Sequence, residues 1–318
     1  MVGVQRVDVH QHLWPDEFLA ALARRSEPPC LRPEAGGGWT LRLPGEPDCH
    51  VDPAAHDPEL RAAALRADGF DLALLCMSSP LGVEALPAAE ARPLLDAWHE
   101  GVLGLGPAFG VWGAVALEDP DPSEVDDVLE AGAVGISVPA AAVASPEGLL
   151  RLAPLLERLE SWDAPLLVHP GPAPGPVAPP ASPADAPWWP ALTRYVAEMH
   201  AAWMAFVTAG RPAHPGLRVV FAMLAGGAPL HLERMAARGG PAHRGLDPLI
   251  FYDTSSYGPR TVDAVVRVVG IDQLLAGSDR PVVDTAPGDQ LGPAARDAMT
   301  RANPARLLER LSRQAVAA

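Results

Sequence analysis

Short runs of aliphatic residues alternate with longer amphipathic stretches from one end of the chain to the other. The apolar runs predict strands at 7–12, 71–77, 109–117, 134–138, 165–169, 217–223, 249–254 and 274–278. The stretches between and after them predict helices at 16–25, 56–67, 88–103, 121–131, 146–161, 188–210, 230–237, 262–269 and 294–314. Eight strands that are each followed by a helix indicate an α/β fold, a (β/α)8 TIM barrel, with residues 1–318 forming a single domain.

A doubly wound open sheet is the alternative for the same alternation of strands and helices. Such a sheet usually carries a glycine-rich phosphate-binding turn after an early strand. The residues that follow His12 contain no such turn, so the barrel is favoured.

Two segments interrupt the regular alternation. Residues 26–55 are rich in glycine and proline, with a possible hairpin arm at 39–43, and predict an insertion over the barrel mouth after the first strand. Residues 170–187 are dense in proline, glycine and alanine, and proline cannot donate a hydrogen bond within a sheet. We expect this second segment to be a lid-like loop after the fifth strand; a passive linker is the alternative.

The composition of the chain limits which binding partners and which cellular compartment we expect for the protein. The net charge is −15 and all 24 basic residues are arginine, which argues against a nucleic acid or an anionic membrane as partner. No run of 18 apolar residues occurs, and the first residues show no signal peptide pattern. Cys30, Cys49 and Cys76 are scattered without a CxxC motif, which fits free thiols in a reducing cytoplasm. Cys76 is interpreted as a small buried hydrophobic residue.

The first strand ends in two histidines that share a face. Side chains two positions apart in a strand point the same way, so His10 and His12 lie about 6.5–7 Å apart at their Cα atoms and can reach one divalent cation. Two polar residues at a strand edge are the alternative interpretation. However, His169 and Asp279 also follow apolar runs, and barrel sites lie at the carboxyl ends of strands. The pattern therefore predicts a metal site at that end of the barrel.

Four motifs resemble those of the amidohydrolase superfamily: DVHQH (8–12), VHP (168–170), GSDRP (277–281) and NPARLL (303–308). The branch they resemble includes aminocarboxymuconate-semialdehyde decarboxylase and the hydroxybenzoate decarboxylases. The resemblance implies a distorted barrel that binds one divalent metal ion through His10, His12, His169 and Asp279. Zinc is the ion expected from it, with Mn²⁺, Co²⁺ or Fe²⁺ as alternatives. Barrels of this branch often dimerise, so a homodimer is also compatible with the chain.

One departure from the branch concerns proton transfer. The branch usually carries a histidine in a pattern like HxGGxxP after the sixth strand, but the matching stretch here begins with Met223, whose thioether cannot carry protons near neutral pH. His231, eight residues on, is the predicted substitute as acid–base group; a solvent-facing helix histidine is the alternative. Asp279 is a candidate ligand, a candidate general base, or both in turn.

Two further residues are predicted to contact substrate. Arg280 stands where the branch tends to have an aromatic residue; it could clamp a substrate carboxylate in a bidentate manner or instead pair with Asp284. Trp14 follows the two histidines and could roof the pocket, or simply anchor its loop.

The leading functional hypothesis is a metal-dependent hydrolase in which a metal-activated water attacks a small, carboxylated or aromatic molecule. A metal-dependent non-oxidative decarboxylase is the alternative. A second alternative is a barrel that binds a ligand without catalysis. No GxSxG motif is present, so a serine nucleophile is not expected.

Overall fold

The strands and helices of the chain were located in a computed structural model that describes residues 5–44, 46–176, 186, 188–240, 247–283 and 291–309. The strands are β1 (Val7–Gln11), β2 (Cys30–Pro33), β3 (Trp39–Arg42), β4 (Cys49–Val51), β5 (Leu72–Leu75), β6 (Phe109–Gly113), β7 (Gly135–Pro139), β8 (Leu166–His169), β9 (Val219–Phe221), β10 (Ile250–Asp253) and β11 (Leu274–Leu275). The helices are α1 (Asp16–Arg24), α2 (Pro58–Ala67), α3 (Ala88–Leu103), α4 (Pro122–Glu130), α5 (Pro146–Ser161), α6 (Trp189–Leu192), α7 (Arg194–Ala205), α8 (Arg211–Ala213), α9 (Leu232–Ala237), α10 (Pro259–Val269), α11 (Pro293–Asp297) and α12 (Asn303–Leu307).

A parallel eight-stranded sheet curls into a nearly closed barrel. Its order is β1-β5-β6-β7-β8-β9-β10-β11, so each strand pairs with the next one along the chain, apart from the inserted β2–β4. The sheet returns to its start where the Val9 amide donates to the Ala276 carbonyl at 2.9 Å and Gln11 bridges to Arg280. The (β/α)8 barrel predicted from the alternating pattern is confirmed.

The inserted segment forms a small sheet of its own. Strands β2, β3 and β4 pair antiparallel, with Leu41 opposite both Leu31 and Cys49. Leu31, Leu41 and Val51 are buried in a second apolar cluster with residues of α1 and α3. The hairpin arm predicted at 39–43 is therefore β3, and the insertion carries its own share of the core.

The helices α4 and α5 begin and end within one residue of their predicted bounds. Asp121 and Ser145 cap α4 and α5 by accepting hydrogen bonds from Ser123 and Gly148, and each helix has proline in its first turn. Along α5 the leucines at 149, 152, 155, 156 and 159 are buried, a helical period that faces the barrel. The continuous helix predicted at 188–210 is instead broken into α6, α7 and one π turn at Phe206–Gly210.

Parts of three predicted segments lie outside the described residues: 45 of the insertion, 177–185 and 187 of the proline-rich loop, and 310–314 of the terminal helices. That the whole chain is one domain stays a prediction.

A left-handed turn follows β9. Residues 223–227 all have positive φ, from +49° to +79°, although Met223, Leu224 and Ala225 carry side chains. Left-handed helical backbone costs about 1–2 kcal/mol for each L-residue that has a Cβ. The turn lies against α7, where a Cβ added to Gly226 would sit 2.6 Å from the Val196 carbonyl oxygen. Packing against α7 thus holds a conformation that these residues would not adopt alone.

Gly226 and Gly227 provide a matched test of that packing. Both have positive φ, but a Cβ on Gly227 would meet nothing nearer than 4.0 Å. We expect Gly227→Ala to lower the free energy of unfolding by about 1 kcal/mol, from backbone strain alone. Gly226→Ala should lower it by about 2–4 kcal/mol because a backbone clash is added. Equal losses in urea unfolding would contradict close packing on α7.

Candidate metal centre

Three imidazole rings meet at the carboxyl end of the barrel. His10 lies in β1, His12 directly follows it, and His169 ends β8. The ring centroids are 4.9 Å apart for His10 and His12, 4.9 Å for His10 and His169, and 5.0 Å for His12 and His169, with each pair nearly perpendicular. All three side chains are buried.

The Asp279 carboxylate joins this group from the loop after β11. Its Oδ1 lies 3.1 Å from His12 Nε2 and 3.6 Å from His10 Nε2, while its Oδ2 accepts a hydrogen bond from Ser256 Oγ at 3.1 Å. The Asp279 backbone has φ +58° and its amide donates to the His10 carbonyl at 2.9 Å. The four side chains predicted as ligands are therefore gathered at one point; that they bind a metal ion stays a proposal.

Cys76 is a further donor at this point, and the sequence interpretation missed it. It follows β5 directly, and its Sγ lies 3.5 Å from His12 Nδ1. Four buried residues each place one potential ligand atom within 4.8 Å of the other three: His10, His12, Cys76 and His169. The available signal was its position, since Cys76 ends a barrel strand just as His169 does.

The δ nitrogen of each ring is held by an oxygen acceptor. His10 Nδ1 donates to Asp253 Oδ2 at 2.6 Å, His12 Nδ1 to the Cys76 carbonyl at 3.0 Å, and His169 Nδ1 to the Pro170 carbonyl at 2.9 Å. With each Nδ1 engaged by an oxygen, Nε2 is the nitrogen through which each ring could bind a metal ion, which is the arrangement that metal-binding histidines use. Asp253, which sequence reasoning assigned no role, is thus the carboxylate partner of His10.

Electrostatics make this point of the barrel attractive to a cation. Burial lowers the pKa of His10, but Cys76 and Asp253 outweigh burial and raise the pKa well above its usual range. Burial likewise opposes charge on Asp279, yet the hydrogen bond from His12 and the nearby imidazoles lower the pKa of Asp279 to about 2. The pKa of His12 rises to about 9 beside Cys76 and Asp279, even though burial lowers it. The rings of His10 and His12 therefore lie in a negative field, whereas burial and the charges of His10 and His12 hold the pKa of His169 well below its usual range.

The donor set fits a divalent transition metal ion. Imidazole nitrogens with a carboxylate and a thiol are ligands for zinc and similar borderline ions, whereas calcium and magnesium take oxygen ligands. His10, His12, His169, Asp279 and Cys76 are the residues that could hold such an ion.

The other predicted site residues have defined neighbours. The Trp14 indole donates to Ser78 Oγ at 2.9 Å and stacks on His56 at 4.8 Å. Arg280 Nη2 pairs with Asp68 Oδ2 at 2.9 Å. Asp284, the partner weighed for Arg280 from the sequence, lies outside the described residues. These contacts leave the predicted substrate-binding roles of Trp14 and Arg280 as predictions.

His231 lies at the surface. Its ring is exposed and makes an edge contact with His200 of α7, with centroids 5.1 Å apart. The placement matches the solvent-facing alternative for this histidine, and its acid–base role remains a prediction.

A cavity of about 350 Å³ opens among the loops that follow the barrel strands. It is bounded by loops after β5, β6 and β8 and by residues of the inserted segment, with Glu118 and Arg194 as its charged members. Cavities of about 300–1,000 Å³ are typical of small-molecule sites.

In the described part of the chain, no helix is both long and apolar enough to cross a membrane.

Comparisons with known proteins place the fold. No family model matches the chain, and no curated protein matches it. Among solved structures, it is similar to the apo form of IDCase from Metarhizium anisopliae, at 16% identity over 96% of this chain and 97% of that one, with a TM-score of 0.79.

Two more solved structures are similar over nearly their full length. One is 5-carboxyvanillate decarboxylase from Novosphingobium aromaticivorans, complexed with manganese and 4-hydroxy-3-methoxy-5-nitrobenzoic acid, at 17% identity, 96% coverage of each chain and a TM-score of 0.72. The other is 2,6-dihydroxybenzoate decarboxylase complexed with 2,6-dihydroxybenzoate, at 18% identity, 96% and 99% coverage and a TM-score of 0.67. The chain therefore shares its barrel fold, from end to end, with solved decarboxylases of the branch that its motifs resemble.

Proposed function

We propose that the protein is a metal-dependent, non-oxidative decarboxylase of a small aromatic carboxylic acid. The observation that carries this proposal is the gathering of three imidazole rings and the Asp279 carboxylate at the carboxyl end of the barrel. Solved neighbours of the same fold are named as decarboxylases, and one holds manganese and a nitrobenzoic acid. The comparisons thus favour the decarboxylase alternative over the leading hydrolase hypothesis.

Zinc is the ion we propose, held by His10, His12, His169 and Asp279. Imidazole ligands suit zinc better than manganese, which prefers oxygen. When bound, such an ion supplies a Lewis acid that holds a carboxylate or hydroxyl oxygen of the substrate.

Decarboxylation replaces a carbon–carboxylate bond with a carbon–hydrogen bond, so the site must deliver one proton to the carbon that loses CO₂. Asp279 is the carboxyl group in position: Oδ1 faces His12 and Oδ2 accepts from Ser256. As a carboxylate beside the imidazoles, it first accepts a proton from a substrate hydroxyl or water and then passes that proton to the carbon, and solvent returns a proton to the hydroxyl or water. His231 stays the other predicted acid–base group.

Asp253 and Gly277 hold His10 in its orientation. Asp253 is fully buried, accepts from His10 Nδ1, and is itself fixed by Ser255, whose amide and hydroxyl both donate to it. A Cβ on Gly277 would lie 2.0 Å from Asp253 Oδ1 and 2.9 Å from His10 Cβ. Glycine is therefore required at position 277 for the carboxylate and the ring to pair.

Arg280 and Trp14 remain the proposed substrate-binding residues. Each is close in sequence to a proposed ligand: Arg280 follows Asp279, and Trp14 lies two positions after His12. The Arg280 guanidinium already pairs with Asp68, so a substrate carboxylate would bind through its planar fork in competition with Asp68.

The proposed activity is tested by metal analysis together with CO₂ release from a panel of hydroxybenzoic acids. We expect about one bound divalent ion per chain and turnover that a chelator abolishes. His169→Ala should lower turnover by about 100-fold or more. Removing a metal ligand is expected to cost more activity than removing a residue that hydrogen-bonds to a ligand, which typically costs about 10–100-fold. His50→Ala is the matched control, since His50 is an exposed histidine paired with Glu34. Hydrolysis of esters or lactones without CO₂ release would overturn the proposal.

Gly277→Ala tests the orientation of His10. We expect the added methyl group to separate Asp253 from His10 and to lower zinc affinity by about 100-fold. This is the upper end of the effect seen when a ligand loses the residue that hydrogen-bonds to it. Gly258→Ala is the control, because a Cβ there meets nothing within 4 Å. Zinc affinity is measured by competition with a chromophoric chelator. Unchanged affinity in Gly277→Ala would show that the pairing does not matter for metal binding.

Arg280→Met tests the substrate clamp. We expect KM for an acidic substrate to rise by about tenfold or more while kcat changes little, because a charge-assisted hydrogen bond is lost. Asp68→Asn removes the partner of Arg280 but keeps its guanidinium, and should change KM by less than about threefold. If both variants raised KM equally, Arg280 would act only through its ion pair.

A further inference from the structure

Cys76 is the donor in this cluster that the proposed function does not use. Its side chain is fully buried, and its ligand atom lies within 4.8 Å of those of His10, His12 and His169. It comes from the end of β5, the barrel strand that pairs with β1. The proposed ligands come from β1, β8 and the segment after β11. The end of β5 is therefore a fourth part of the barrel that contributes a donor atom, the sulfur of Cys76.

The position of Cys76 is set by its backbone. Its amide donates to the Gln11 carbonyl at 2.9 Å, and its own carbonyl accepts from His12 Nδ1 at 3.0 Å. The Sγ atom lies 3.5 Å from His12 Nδ1 and 3.6 Å from the Gln11 carbonyl oxygen. The backbone contacts that orient His12 therefore also hold the thiol beside the imidazoles.

Packing alone does not explain a thiol at this position. Cys76 belongs to the apolar core of the barrel, but its ligand atom also lies within 4.8 Å of those of three imidazoles. A cysteine that only filled space would have no such nitrogen donors beside its sulfur. A buried thiol beside cationic groups and nitrogen donors is typical of a metal-binding or reactive cysteine.

Resting on the proposed metal centre, we propose that Cys76 binds the ion through its sulfur, together with His10, His12 and His169. On binding, the S–H bond breaks, the sulfur keeps the electron pair that it donates to the ion, and the proton leaves to solvent. Three imidazoles and a thiolate would supply four ligands, the number that zinc takes in most protein sites. Cys76 would then take the ligand position that the proposed function gives to Asp279, and Asp279 would keep its role in carrying the proton.

This ligand set predicts a preference among metals. A thiolate is a soft ligand that selects zinc and similar ions, whereas manganese prefers oxygen. The protein should therefore favour zinc or cobalt over manganese, the ion present in the 5-carboxyvanillate decarboxylase complex.

The full-length protein loaded with Co²⁺ tests the sulfur ligand directly. We expect a sulfur-to-cobalt charge-transfer band in the near ultraviolet for the wild type. Cys76→Ala should lose the band, and its preference for zinc over manganese should fall by about tenfold or more. Cys30→Ala is the matched control, because Cys30 is equally buried but lies in β2, and it should keep the band.

X-ray absorption of the zinc-loaded wild type supplies a measurement that does not depend on any variant folding. We expect one sulfur neighbour at about 2.3 Å from zinc. Cobalt bound without the band, a band that survives in Cys76→Ala, or a zinc shell of nitrogen and oxygen alone would each overturn the sulfur ligand. If CO₂ release persisted in that case, the proposed function would stand. Conversely, a sulfur neighbour in a protein that releases no CO₂ from any acid tested would overturn the function alone.

Discussion

The seam where the barrel closes between β1 and the segment after β11 is the constraint on which the candidate site depends. Asp8 Oδ1, buried at this seam, accepts from the Ser278 amide at 3.0 Å and from the His10 amide at 3.2 Å. The Asp279 amide donates to the His10 carbonyl at 2.9 Å, and the His12 amide donates to the Arg280 carbonyl at 2.7 Å. Because backbone pairing fixes these positions, the Asp279 carboxylate lies beside the two imidazoles without depending on its own side-chain contacts.

Around the seam, neighbouring strands supply the groups that orient the rings. The strand β10 provides Asp253 for His10, and the residue after β5 provides a carbonyl for His12. Both contacts use the δ nitrogen, and the ε nitrogens of the two rings lie 3.2 Å apart beside the Asp279 carboxylate. Buried polar groups are costly unless paired, and here the pairing that offsets the cost also selects the tautomer that can bind a metal ion. Stability and function therefore depend on the same hydrogen bonds.

The barrel could be predicted because its strands are apolar runs buried on both faces, separated by helices of regular period. Prediction failed where contacts with distant parts of the fold, and not the local sequence, set the backbone conformation. The residues from Met223 to Ala225 adopt left-handed backbone against α7, which their side chains disfavour and no local pattern indicates. The predicted helix at 188–210 is likewise interrupted at Thr193, between α6 and α7, which the helical period does not indicate.

The sequence by itself determined that His10 and His12 share a face and that His169 and Asp279 follow apolar runs at the same end of the barrel, because these follow from the two-residue period of a strand and the common direction of strands in a barrel. Only the tertiary structure decided which other groups meet them. Cys76 contacts a histidine 64 residues away, and Asp253 contacts one 243 residues away. Such distant pairs leave no local pattern, since their encounter is set by strand order and register, which exist only once the barrel has closed.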